Sequence, residues 1–128
     1  MLKDSKAFSG FSVDDVPRAK EFYGTTLGIE VGEENGMLQL RTAGGNTVLV
    51  YPKPNHVPAE YTVLNFPVAD VEASVRELIA RGVTFEKYND DQDELGIYRG
   101  QGPLIAWFKD PAGNVLSIIQ ERGTASSY

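Results

Sequence analysis

Two stretches of the chain carry one hydrophobic pattern. Phe11-Ser12-Val13-Asp14-Asp15-Val16 parallels Phe66-Pro67-Val68-Ala69-Asp70-Val71, with Phe, Val, Asp and Val in matching places. Each leads into apolar positions at helical spacing: Val16, Ala19, Phe22, Tyr23 and Leu27 in the first copy, Val71, Val75, Leu78 and Ile79 in the second. Such spacing lays one apolar stripe along a helix. Asp14 or Asp15 is placed to cap the first helix and Asp70 the second, since a carboxylate there accepts the unbonded N–H groups of the first turn. Pro17 fits a first turn, where its missing N–H costs little. Gly28 and Gly82 follow the helices, where a left-handed cap is wanted.

Strand patterns come after each helix. In the first copy they are about Ile29–Glu33, Met37–Thr42 and Asn46–Tyr51, with Asn35-Gly36 as a type I′ hairpin signal. In the second they are about Val83–Tyr88, Leu104–Lys109 and Val115–Gln120, with Asp110-Pro111-Ala112-Gly113 as the turn before the last. Three prolines in Pro52-Lys53-Pro54-Asn55-His56-Val57-Pro58 break any ladder, so 52–60 is read as a linker. The chain is therefore expected to be one α+β domain, 1–128, of two β-α-β-β-β modules, about 5–52 and 60–121, with a small polar tail, 122–128, expected to fray. One module is too short to bury both a sheet face and a helix stripe. Two can cover each other, with helices on the outer faces and the opposite faces forming a cupped eight-stranded mixed sheet around a cavity. The loop Asn89-Asp90-Asp91-Gln92-Asp93-Glu94 reads as a solvated acidic connection.

Composition narrows the chemistry. Across 128 residues the hydrophobic fraction is 41%, enough for a globular core, and the formal net charge is −6. An anionic surface without a basic cluster argues against nucleic acid and against anionic membranes as partners. No stretch reaches bilayer-spanning length and no signal-peptide pattern is found, so the expectation is a cytoplasmic protein with a small-molecule ligand. There is no cysteine and one histidine, so thiolate chemistry is excluded and His-based catalysis is tightly limited. No glycine-rich phosphate loop or nucleophile elbow is present.

The segments Phe11 to Tyr23, continuing to Leu27-Gly28, and Phe108-Lys109-Asp110-Pro111-Ala112-Gly113-Asn114-Val115-Leu116 resemble the vicinal oxygen chelate superfamily, which groups glyoxalases, bleomycin-resistance proteins and extradiol dioxygenases. With the repeat, the resemblance spans nearly the whole chain. It implies the glyoxalase-like fold, a homodimer, and, in catalytic members, a divalent metal held by His, Gln or Glu on four strands. The four matching positions are Phe8, five residues before Val13; Leu49; Val63, five before Val68; and Ser117, three after Asn114. Three have no donor atom and serine alone is a weak neutral ligand, so no metal and no other cofactor are expected there.

Alternation along the strands assigns Phe8, Leu49, Tyr51, Val63, Asn65, Trp107 and Ser117 to the cavity. The expectation is a mostly apolar wall that binds a flat or greasy molecule. Trp107 would stack on it, and Asn65, Ser117 and Tyr51 would orient it. Each has a structural alternative: packing for Trp107 and Tyr51, strand satisfaction for Asn65, a small filler for Ser117. His56 is either an acid–base group over the cavity mouth or an exposed loop residue. Glu60, His56 and the 90–94 loop form a weak candidate for an unusual metal site. Lys53, Arg41 and Arg99 are candidate clamps for an anionic substrate or solvated surface. No catalytic residue is assigned. The competing expectation is an enzyme of lyase, isomerase or dioxygenase type, using a non-standard metal site or His56 and Tyr51.

Overall fold

Asp15 and Asp70 stand at the starts of two helices with nearly the same backbone, φ −144°, ψ 99° and φ −143°, ψ 101°. The sequence repeat is thus a repeat in conformation. In a computed structural model describing residues 1–121, Asp15 accepts from the Arg18 N–H at 3.0 Å and Asp70 from the Ala73 N–H at 3.1 Å. The tail beyond Glu121 lies outside the described residues.

The chain divides into two compact units, Met1–Pro58 and one beginning at Ala59. The first holds β1 (Gly10–Val13), α1 (Val16–Glu21), β2 (Glu30–Glu34), β3 (Met37–Arg41) and β4 (Val48–Pro52). Its sheet has the order β1-β4-β3-β2, with β1 parallel to β4 and the other pairs antiparallel. The β2–β3 hairpin turns through Asn35 (φ 55°) and Gly36 (φ 77°), the two left-handed residues a type I′ turn demands. Phe11, Val13, Leu38, Leu40 and Val50 are buried on one face of the sheet with Ala19 and Tyr23. The second unit holds β5 (Thr62–Val68), α2 (Val71–Ala80), β6 (Ile105–Lys109) and β7 (Val115–Gln120), in the order β5-β7-β6. Its core is Val71, Val75, Ala106, Phe108, Leu116 and Ile118. The fold class is mixed α+β, as the pattern predicts.

Two elements differ from the pattern. The first helical stripe, Val16 to Leu27, does not run as one α-helix: after Glu21 it widens into a π turn over Phe22–Thr26, with the Leu27 N–H bonded to the Phe22 carbonyl. Gly24, Thr25 and Thr26 are poor helix formers and explain the loosening. The wide turn leaves Tyr23 fully buried, its ring 6.0 Å from that of Phe11 and 5.3 Å from that of Phe22.

The expected strand Val83–Tyr88 does not form either. Phe85 makes one bridge to Phe108, and the Glu86 N–H reaches the Trp107 carbonyl at 2.8 Å. Beyond that the side chain of Gln92 takes over. Its Oε1 accepts from the Tyr88 and Asn89 N–H groups, and its amide donates to the Glu86 and Gly96 carbonyls. Four satisfied bonds draw the chain off the edge of β6, so the second sheet has three strands where four were expected. Tyr98, bridged to Ile105, covers the other end of that edge.

Candidate functional site

Strand alternation gives each sheet an open face opposite its helix. In the first unit Leu38 and Leu40 turn to the core, so Gln39 and Arg41 turn away from it. Ser12 pairs with Tyr51, and Gly10 with Leu49, across β1 and β4. His56 does not swing free: its Nδ1 and the Ser12 Oγ share a 2.7 Å hydrogen bond, and its backbone N–H is bonded to the Lys53 carbonyl. The linker is thereby fastened to the sheet, with His56 half-buried and bonded to Ser12, the cross-strand partner of Tyr51. Phe8 precedes β1 and is 65% exposed. The pairing that supports β1 starts one residue later, where the Leu49 N–H meets the Ser9 carbonyl.

In the second unit the register aligns Asn65 with Ser117 and Ser117 with Trp107, a single row across β5, β7 and β6. Ser117 is fully buried and its hydroxyl donates to Asn65 Oδ1 at 2.5 Å. Val63 sits where the β5–β7 register shifts, between Thr62 and Leu64. Trp107 is flanked by two tyrosines: the Tyr88 ring is edge-on at 5.6 Å, and the Tyr98 ring is tilted at 6.3 Å. Edge-on and tilted pairs use the ring quadrupoles well and hold the indole in one orientation. Tyr88 is 53% exposed, and the partial burial of its hydroxyl, seconded by the Glu86 charge, pushes its pKa up.

The acidic loop is organised. Gln92 is 5% exposed at its centre. Asp93 accepts from the Leu95 and Ile97 N–H groups and from Arg99 Nε at 2.8 Å. Burial alone would raise the Asp93 pKa, but the bonds from Arg99, Ile97 and Leu95, with the Arg99 charge, together hold it below its ordinary value. Arg99 also reaches Glu72 at 3.1 Å, so its guanidinium is paired with two carboxylates. A groove of about 490 Å³ lies beside it, lined by Asp70, Glu72, Ala73, Arg76, Arg99 and Leu104. Its charges pair with one another or cap α2, so it offers a ligand little. Glu60 and Lys53 are exposed.

The donor chemistry does not fit a metal at the four positions implied by the resemblance. Phe8, Leu49 and Val63 have no donor atom, and the Ser117 hydroxyl proton is bonded to Asn65. Among the described residues no cluster of three or more His, Asp or Glu side chains is arranged to hold an ion. No helix among them is long and apolar enough to cross a membrane.

Sequence reasoning missed Tyr88 and Tyr98. For Tyr88 a signal existed: Val83 and Phe85 point inward, so alternation carries an even position such as 88 to the open side. Tyr98 gave none, because only closure of the Gln92 loop brings it to β6.

Residues 8–118 match the family model described as Glyoxalase/Bleomycin resistance protein/Dioxygenase superfamily. No curated protein matches the chain significantly. Among solved structures, a member of the same superfamily from Sphaerobacter thermophilus DSM 20745 is 25% identical, covering 89% of this chain and 94% of its own, with a TM-score of 0.68. A glyoxalase/bleomycin resistance protein from Streptomyces sp. CB03234 is also 25% identical, covering 91% and 100%, with a TM-score of 0.65. The antibiotic-binding protein TnmS3 from that Streptomyces shares the fold at 24% identity, covering 93% and 98%, with a TM-score of 0.67.

Proposed function

Since the chain belongs to the glyoxalase/bleomycin resistance protein/dioxygenase superfamily, we propose that it binds a small organic molecule with a flat aromatic part, without a metal at the four strand positions. The observation that carries this reading is Trp107, half-buried on the open face and held between Tyr88 and Tyr98. A ring stacked on a pre-oriented indole gains contact without the cost of ordering it first. Asn65 lies two positions along the same row and offers polar atoms to fix the orientation of a ligand. TnmS3, named for antibiotic binding, illustrates that this fold can serve such a role.

A thermal-shift screen of planar aromatic compounds against the wild type and Trp107→Leu tests the reading. A true ligand at a hundredfold excess over its Kd adds about 2.7 kcal/mol of stability to the wild type. The gain should vanish in the variant. A hit that stabilises both equally, or no hit among chemically diverse aromatics, would contradict the proposal.

A second reading, an enzyme of lyase, isomerase or dioxygenase type, draws on the hydrogen bond between Ser12 and His56 beside Tyr51. It holds an imidazole on an open sheet face, as general acid–base chemistry requires. Any turnover found should fall at least about a hundredfold in His56→Gln; unchanged turnover removes this reading. In either case the working form is taken to be a homodimer, as the resemblance implies, with sedimentation equilibrium as the check.

A further inference from the structure

Arg41 is placed in a way that hydration alone does not explain. Long exposed cations ordinarily extend into water. Here the guanidinium lies down against the backbone of β2, so close that a Cβ built on Gly32 would stand 2.6 Å from Nη2 and 2.9 Å from Cζ. Gln39 Oε1 holds the same Nη2 at 2.8 Å. Gly32 is not among the left-handed residues, so the backbone there does not demand glycine. The space above it is what the guanidinium uses.

Arg41 has no carboxylate partner among the described residues, although the chain carries 18 acidic residues and Glu30 stands opposite it in the β2–β3 register. One N–H group is anchored on a neutral acceptor, and the planar fork keeps further donors for something else. Gln39 pairs with Leu49, which in turn pairs with Gly10. Gln39 also pairs with Gly32, so the cation borders a row whose two outer positions are side-chain-free glycines, with Leu49 and Gln39 between them.

We propose that Arg41, seated over Gly32 and held by Gln39, is an oxyanion-binding site on the open face of the first sheet, taking a carboxylate or sulfonate carried on a small apolar group. All its residues belong to the first unit, and the aromatic platform belongs to the second. The net charge of −6 repels anions over most of the surface, so selective anion uptake there requires a local cation.

The test is a titration of the isotope-labelled full chain with sodium benzenesulfonate at low salt, following the Arg41 side-chain Nε–H resonance, with benzyl alcohol as the neutral control. A saturable shift with the sulfonate and none with the alcohol is expected. In Gly32→Ala the new methyl displaces only the mobile end of a side chain, so thermal stability should hold while affinity falls about two- to fivefold, the worth of an exposed ion pair. Gln39→Leu should weaken binding similarly, and raised salt should weaken it in the wild type. A shift that never saturates, equal response to both probes, or undiminished affinity in a folded Gly32→Ala would overturn the proposal. Loss of aromatic-ligand binding in Trp107→Leu leaves this titration unchanged, so the two readings fail separately.

Discussion

The two units share their helix sides and differ on their open sides. Asp15 and Asp70 cap their helices with the same geometry, and each sheet buries alternate residues beneath its helix. Away from the helices, the first sheet presents Ser12, Gln39, Arg41 and Tyr51, polar groups spread over three strands. The second presents one indole between two tyrosines, beside a buried hydroxyl–amide pair. Packing constrains the helix side, since volume and apolar character must be kept for the unit to fold. The open side is less constrained, although β7 buries Val115 and Ser117 there as well, and a duplicated unit can acquire different binding chemistry on it. The helix faces therefore report how this chain folds, and the open faces carry the chemistry proposed for binding.

Substitutions that compare the faces should separate sharply. Phe108→Ala and Leu38→Ala remove fully buried side chains and should each cost about 2–5 kcal/mol in chemical denaturation. Leu49→Ala, on the open face of the first sheet, should cost much less. Equal losses would mean that the open face is core as well. Next in size is Gln92→Ala, which strips partners from the Tyr88 and Asn89 N–H groups and from two carbonyls at once. A loss of about 1–3 kcal/mol is expected, with faster hydrogen exchange at Tyr88 and a changed Trp107 fluorescence as its flanking tyrosines loosen.

The caps give a smaller and symmetrical test. Asp15→Ala and Asp70→Ala should each lose about 1 kcal/mol, the same within error, if the repeat is energetic as well as geometric. The smallest effect is the pH response of Asp93. Its folded pKa lies below the ordinary value of 3.8, so its contribution is complete above that value and drains away as pH falls toward the lower folded value. Asp93→Asn should flatten that part of the stability profile by lowering stability at neutral pH and changing it little at acid pH, where the carboxylate is protonated anyway. A loss appearing on raising the pH instead would reverse the assignment.

The parts legible in the sequence are those set by neighbours along the chain. Asp70, Asn35-Gly36 and the Asp110 turn act within four residues, and their types announce their geometry. The 3.6-residue stripe marked α2 correctly and overran α1, because apolar spacing says nothing of the loosening at Gly24-Thr25-Thr26. What could not be read depends on long-range closure. Ser12 and His56 are 44 residues apart, Tyr98 reaches Trp107 only through the loop that Gln92 organises, and the room Gly32 leaves matters only because Arg41 faces it across the hairpin. Arg99, a candidate clamp or solvated surface in the sequence, pairs with Glu72 and Asp93, contacts that the same long-range closure creates.

Trp107 is the only tryptophan in the chain, so its emission reports directly on the proposed platform. Titrating the protein with the strongest stabilising aromatic compound while recording that emission tests the central claim most closely. Saturable quenching or a spectral shift, with a Kd matching that from thermal stabilisation, is the predicted result. Stabilisation that leaves Trp107 emission unchanged would place the ligand elsewhere and contradict the account.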